Sequence, residues 1–253
     1  MDVWRAASLA ASATVAGAVN SIAGGGTIIS FPAAIAAGLT PVMANATNAV
    51  ALTPGSLLAA WGFREEVKRH WALVRLLLPP AIVGAIAGSV LLQHTPARVF
   101  DAVVPWLVLS ATLLMLLQRS LVGERLASAK RRPRPRSLLL LSQFVVGIYG
   151  GYFGAAMGII MLASLTLFCE LEIHDANGVK NVLSGSINGV AALYFLLNGM
   201  VDGRAALIMA LGASLGGIVG ARLALRVRPE VVRAFVIAIG LSLSLLLAYR
   251  HYA

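Results

Sequence analysis

Residues 17–32 read GAVNSIAGGGTIISFP, so three consecutive glycines, an asparagine and a proline lie inside a long apolar segment. Glycine costs about 1 kcal/mol in a helix interior and proline about 3 kcal/mol. The stretch therefore predicts a break in a helix. In lipid, non-helical backbone persists only where protein covers it or water reaches it. A break at membrane depth favours a pathway for a transported molecule.

A second stretch of this kind, GIYGGYFGAAMGIIML, occupies residues 147–162. The two stretches lie near the middle of the apolar blocks 4–38 and 137–168, which are longer than the others. A straight helix of about 32 residues would be ~48 Å long, whereas the hydrocarbon core is ~30 Å thick. Both blocks should therefore be split. Two interrupted apolar segments in matching positions point to the binding site of a transporter.

The composition indicates a membrane protein. Hydrophobic residues make up 59% of the chain and charged residues 12%, whereas a soluble domain carries about 25% charged residues. The predicted fold class is an all-α, polytopic transmembrane helical bundle with an inverted internal duplication and two broken or re-entrant glycine-rich segments. Its apolar blocks are 4–38, 44–63, 72–93, 97–118, 137–168, 176–198, 204–225 and 230–249.

Four motifs recur in the same order at offsets of 130 to 133 residues. They predict a first repeat at 1–118, a basic cytoplasmic linker at 119–136 and a second repeat at 137–253. The matches are Gly17 and Gly24 with Gly147 and Gly154, Thr47-Asn48 with Lys180-Asn181, GAIAG at 84–88 with GGIVG at 216–220, and Pro96 with Pro229.

The basic residues give a topology. If each long block is a hairpin that enters and leaves on one side, the halves are inverted and 16 of the 20 basic residues face the cytoplasm. The four left outside are Arg5, Arg98, Arg204 and Arg250. If every block crosses once, the best split is 14 to 6. The excess of positive charge on the cytoplasmic side favours the hairpins, and both termini then lie outside.

Other function classes have little support in the sequence. The net charge of +10 sits in short loops between apolar segments, which is typical of cytoplasmic loops facing anionic lipid and not of a nucleic-acid-binding protein. The four histidines have no metal-ligand spacing, and no carboxylate lies in the middle of an apolar block. We therefore predict no enzyme activity, no metal site and no cofactor.

The candidate site lies between the two breaks, near the bilayer midplane, where helix N-termini and amide donors from both halves would hold a small anion. Equal loss of binding is expected when Asn48 or Asn181 is replaced. Simpler alternatives exist: the glycines could be close-packing points, the amides interhelical hydrogen bonds, and the lysine a snorkelling cation. The candidates are Asn20, Gly24, Gly25, Gly26, Thr27, Thr47, Asn48, Gly150, Gly151, Gly154, Lys180 and Asn181.

The pairs Gly84/Gly88 and Gly216/Gly220 form GxxxG faces. Such faces let helix backbones approach closely. They predict helix packing within the bundle or across a homodimer.

Residues 17–39 (GAVNSIAGGGTIISFPAAIAAGL), residues 44–64 (ANATNAVALTPGSLLAAWGFR) and the second glycine-rich copy resemble the sulfite exporter TauE/SafE family. In the second copy, Ala155 and Ala156 replace two glycines, and Leu162 stands where the first half has Pro32. The resemblance implies a bacterial inner-membrane transporter of small anions such as sulfite, sulfonates or thiosulfate. The alternatives are a channel-like anion pore and a membrane scaffold without a substrate.

Overall fold

The computed structural model describes residues 2–22, 24–119, 135–169, 171–223, 234, 237–242 and 245. Across these ranges the regular structure is helical, without a strand, which confirms the all-α fold. Most of the predicted linker and of the apolar block 230–249 lies outside the described residues. The helices are α1 (Val3–Ile22), α2 (Thr27–Ala36), α3 (Pro41–Gly62), α4 (Arg64–Arg69), α5 (Trp71–His94), α6 (Ala97–Arg119), α7 (Arg136–Tyr152), α8 (Met157–Cys169), α9 (Ile173–Leu197) and α10 (Gly203–Leu223).

Both glycine-rich stretches interrupt a helix. The first break separates α1, which ends at Ile22, from α2, which begins at Thr27. The second separates α7, which ends at Tyr152, from α8, which begins at Met157. Pro32 lies inside α2, so the glycines end the first helix and the proline does not. With 10 residues, α2 is ~15 Å long, about half the thickness of a hydrocarbon core.

Three helices in the described part of the chain are long and apolar enough to cross a membrane: Trp71–His94, Ala97–Leu117 and Gly203–Arg222. Thr27–Ala36 and Met157–Thr166 are apolar but shorter. The helix α9 has 25 residues but buries several polar side chains, among them Asn177, Lys180 and Asn181. The fold is therefore a membrane bundle that combines long apolar spans with a helix that buries polar side chains.

The glycine faces pack helices of one half against helices of the other. The most extensive contacts join α1 to α10 and α5 to α7. A Cβ added to Gly216 would lie 1.9 Å from the carbonyl oxygen of Thr14, and one added to Gly88 would lie 2.0 Å from that of Ile148. Both GxxxG faces are therefore covered within the chain, and a homodimer through them has no free surface to use.

Contacts at the ends of the bundle fix which loops lie together. Arg69 Nη1 lies 2.9 Å from Asp175 Oδ1, and Gln93 Nε2 donates to Asn198 Oδ1 over 2.8 Å. If every apolar block crossed the membrane once, the members of each pair would lie on opposite sides. The hairpin topology places them on the same side. The inverted duplication and the re-entrant character of the long blocks stay predictions.

Candidate functional site

The first helix break is in backbone contact with α8, the helix that follows the second break. A Cβ added to Gly24 would lie 2.7 Å from the Cα of Gly158, and one added to Gly158 would lie 2.7 Å from the Cα of Gly24. Gly24 also has a φ of +82°, which favours glycine because other residues meet a steric cost there. The segment between α1 and α2 thus touches the first turn of α8. Gly158 was not predicted, although its spacing from Gly154 repeats the small-xxx-small pattern.

The backbone turns in a similar way at the start of each break. The amide of Gly24 donates to the carbonyl of Val19 over 3.2 Å, and the amide of Gly154 donates to that of Tyr149 over 3.0 Å. Both glycines have a positive φ, of +82° and +74°, as residues that end helices often do. The breaks differ further on, since Ala156 has a φ of +57° and Gly26 a φ of −59°.

A small cavity lies beside the second break. Its volume is about 10 Å³, roughly the space that one water molecule needs. Five of the predicted site residues line it: Thr27, Asn48, Gly150, Gly151 and Gly154. The other lining residues are Asn45, Ala49, Leu52, Phe153, Asn188 and Phe195. The structure thus brings the start of α2, the middle of α3 and the second break together.

The chemistry of this cavity is polar and uncharged. Thr27 is the first residue of α2, so the positive end of that helix dipole lies at the cavity wall. Asn48 is 2% exposed, and its Oδ1 has no hydrogen-bond partner among the described residues. Because this oxygen is a hydrogen-bond acceptor, leaving it unpaired is costly unless a donor such as water reaches it. The amino end of α2 and amide N–H groups are the donors that suit a small anion.

Asn45 organises the second break. Its Nδ2 donates to the carbonyl oxygen of Tyr152 over 2.8 Å, and Tyr152 is the last residue of α7. The bond satisfies one of the carbonyls that the end of a helix leaves without a partner. Sequence reasoning missed this role of Asn45. The signal was present, because Asn45 and Asn48 are three residues apart and therefore share a helix face.

A second polar cluster lies at the first break. Lys180 Nζ donates to the carbonyl oxygens of Asn20, at 2.8 Å, and Ser21, at 3.2 Å. Asn181 Nδ2 lies 3.5 Å from the same Ser21 oxygen. These carbonyls belong to the last turn of α1, where a cation is favourable. Asn20, Gly24, Lys180 and Asn181 therefore gather here, and none of the four lines the cavity.

The other predicted residues have local roles. Gly26 precedes α2, and a Cβ added there would lie 2.0 Å from the carbonyl oxygen of Ala16. Gly25 is buried in the break, and its carbonyl accepts from the amide of Ile28. Thr47 is directed elsewhere, because its Oγ1 accepts from the amide of Asp202 over 3.1 Å. The structure does not bring Thr47 to the cavity.

Comparison with known proteins identifies relatives along nearly the whole chain. The family described as "Sulfite exporter TauE/SafE" matches residues 9–247. The probable membrane transporter protein YfcA of Escherichia coli K12 is 30% identical over 237 residues, 94% of this chain and 87% of that protein. A probable membrane transporter protein of Haemophilus influenzae is 26% identical, covering 93% of this chain and 91% of its own length.

A third relative, the probable membrane transporter protein ORF9 of Sinorhizobium sp, is 28% identical over 92% of this chain and 88% of its own length. No solved structure matches the chain significantly.

Proposed function

Because the chain belongs to the sulfite exporter TauE/SafE family of membrane transporters, we propose that it is a secondary transporter of small sulfur-containing anions. Sulfite, a sulfonate, thiosulfate or a related organic anion is the substrate class. The protein acts as a multi-pass protein of the bacterial inner membrane. The substrate binds between the two helix breaks.

The contact between the first break and the start of α8 carries this proposal. Gly24, in the first break, and Gly158, in the first turn of α8, approach so closely that neither position has room for a Cβ, so the first break packs directly against the helix that follows the second break. The cavity beside it combines the amino end of α2 at Thr27 with the buried amide of Asn48. Anions are stabilised by helix dipoles and amide donors without a full positive charge. A neutral site holds the anion moderately and allows it to leave.

The size of the cavity favours a carrier over an open pore. A volume of about 10 Å³ accommodates about one water molecule, whereas sulfite has four heavy atoms. The anion can therefore enter only after the walls move apart. A carrier that alternates between open forms passes through such a closed form, whereas a permanently open pore would show a continuous path.

Uptake into liposomes tests the proposal. Purified protein is reconstituted, and the uptake of labelled sulfite, thiosulfate and an alkyl sulfonate is measured, with chloride and phosphate as comparison anions. We expect saturable uptake of at least one sulfur-containing anion that accelerates when the liposomes are preloaded with the same anion. Asn48→Leu should reduce it, whereas Gln93→Leu, which removes an exposed amide at the end of α5, should not.

Two other results would contradict the proposal in different ways. Conductance without counter-flow acceleration would indicate a channel-like pore. Absence of any flux, with normal function of a cellular partner after Asn48→Leu, would indicate a scaffold. Saturable uptake of chloride or phosphate alone would support transporter activity but would contradict the proposal that the substrate contains sulfur.

A further inference from the structure

A groove on the outside of the bundle is separate from the cavity between the breaks. Its volume is about 540 Å³, and it lies where α3 ends, α4 runs and α5 begins. Apolar side chains, two tryptophans and two cations form its walls. The lining residues are Leu57, Ala60, Trp61, Arg64, Val67, Lys68, Trp71 and Val182.

The tryptophans place the groove at the membrane surface. Trp61 is 71% exposed and Trp71 is 49% exposed. Trp71 is the first residue of α5, one of the helices long and apolar enough to span a membrane. Tryptophan side chains are enriched at the boundary between headgroups and hydrocarbon. The groove therefore begins at headgroup level, while Leu57, a turn before Trp61 in α3, extends it towards the hydrocarbon.

The cations at the rim are incompletely neutralised. The side chains of Arg64 and Lys68 are 55% and 72% exposed. Glu65 lies between them, 3.6 Å from Arg64 Nε and 3.4 Å from Lys68 Nζ. Neither Glu65 nor Glu66, the two carboxylates of α4, lines the groove, so the charged side chains at its wall are both positive. Glu65 contacts the guanidinium of Arg64 at Nε. The terminal nitrogens of Arg64 therefore face no carboxylate within the described part of the chain.

The neighbouring cation, Arg69, is neutralised by an ion pair and is not available to a ligand in the groove. Arg69 is held by Asp175, with Nη1 and Oδ1 2.9 Å apart, and it does not line the groove. The charge available to a ligand is therefore concentrated at Arg64 and Lys68. Arginine binds phosphate oxygens through a planar fork, and lysine binds them as a point charge.

We propose that this groove binds an anionic glycerophospholipid. The phosphate of the headgroup contacts Arg64 and Lys68, the glycerol region lies between Trp61 and Trp71, and an acyl chain follows Leu57 and Val182. The complementarity of charge at the rim and of apolar surface below it selects this occupant over a zwitterionic lipid. Juxtamembrane cations are attracted to an anionic membrane surface.

Native mass spectrometry of the purified protein tests the lipid. The delipidated protein is titrated with phosphatidylglycerol or with phosphatidylcholine of the same acyl chains. We expect the protein to retain phosphatidylglycerol preferentially, and the double variant Arg64→Gln/Lys68→Gln to bind it about 10- to 30-fold more weakly. The matched control, Arg98→Gln/Arg204→Gln, removes two exposed cations elsewhere and should bind as the wild type does.

Tryptophan quenching locates the lipid without altering the cations. In a Trp4→Phe/Trp106→Phe background, the two tryptophans of the groove are the remaining ones of the four in the chain. Phosphatidylglycerol with brominated acyl chains should quench their fluorescence at lower mole fraction than brominated phosphatidylcholine.

Equal binding of both lipids, or an equal loss in the two double variants, would overturn the proposal. Full displacement of the lipid by soluble glycerol phosphate would assign the groove to a small phosphate. Dimerisation that protects Trp61 from quenching would assign it to a second copy of the chain.

Discussion

Lys180 and Asn20 are 160 residues apart, yet the ammonium of the first donates to the backbone carbonyl of the second over 2.8 Å. Lys180 is 1% exposed, and its Nζ also donates to the carbonyl of Ser21. Lys180, from the second half of the chain, therefore caps the C-terminal carbonyls of α1. Burial of a charge is expensive unless hydrogen bonds compensate it, so this contact fixes the position of the first break.

Replacing Lys180 with methionine should slow transport. Hydrogen bonds to a charged group contribute about 1.5–3 kcal/mol, and their loss leaves the end of α1 without its partner. Since the ammonium contacts backbone and does not line the cavity, we expect the maximal rate of liposome uptake to fall at least tenfold (about 1.4 kcal/mol) with a smaller change in KM. Arg98→Met, at an exposed cation outside both the cavity and the groove, is the control. A larger change in KM than in maximal rate would instead show direct contact with the substrate.

Gly24→Ala and Gly158→Ala should each abolish transport. Either Cβ would lie 2.7 Å from the Cα of the other glycine, so the first break and the start of α8 must move apart. Gly38 provides a control that separates steric clash from backbone strain. Its φ is +102°, but nothing lies within 4 Å of an added Cβ, so a side chain there meets strain without a clash. We expect Gly38→Ala to lower thermal stability slightly, by about 1 kcal/mol, and to retain transport. Equal loss of uptake in all three variants would contradict the importance of the contact.

Asn48→Leu should weaken substrate binding by about 1.5–3 kcal/mol, the range for a hydrogen bond to a charged group. Asn48 lines the cavity, whereas Asn181 contacts the carbonyl of Ser21. We therefore expect Asn181→Leu to slow transport more than it weakens binding, as measured by isothermal titration and uptake with the same anion. Equal losses of affinity in the two variants would support the symmetric site that the sequence repeat predicts.

Asn45→Ala should destabilise the second break. The variant leaves the carbonyl of Tyr152 without the amide that now donates to it over 2.8 Å. Interhelical hydrogen bonds in membrane proteins contribute about 0.6 kcal/mol on average and up to about 1.7 kcal/mol, so we expect a loss in that range in an unfolding titration. Thr53→Val removes a hydroxyl that bonds to its own helix at Ala49 and should cost less. A smaller loss for Asn45→Ala than for Thr53→Val would contradict this role.

The topology can be tested by labelling from outside the cell. After Cys169→Ala removes the natural cysteine, single cysteines are placed at Glu65 and at Gly199. The hairpin topology puts Glu65 in the cytoplasm and Gly199 outside. A membrane-impermeant thiol reagent should therefore label Gly199→Cys and miss Glu65→Cys. Labelling of Glu65→Cys alone would show that the protein has the opposite orientation in the membrane. If neither cysteine is labelled, a second position in the same loop as Gly199 is tested.

The sequence by itself determined the class of the protein and the positions of the interruptions. Composition requires a membrane bundle, and the cost of glycine in a helix is local, so an interruption could be expected within residues 17–32 and within residues 147–162. The exact residues did not follow, because the consecutive Gly150 and Gly151 stay inside α7. The positively charged loops likewise favour a topology without any knowledge of packing. The family resemblance, carried by residues 17–39 and 44–64, was equally available.

Only the tertiary structure decided which groups meet. The repeat placed Thr47 and Lys180 in equivalent positions, yet Thr47 bonds to Asp202 and Lys180 to the end of α1. Neither partner could be predicted, because each is more than 150 residues distant and depends on how the helix faces interlock. Close contacts such as that of Gly24 with Gly158 arise when small residues on several helices pack at once. Helix propensity acts within a few residues, whereas the geometry of the cavity depends on all the helices around it.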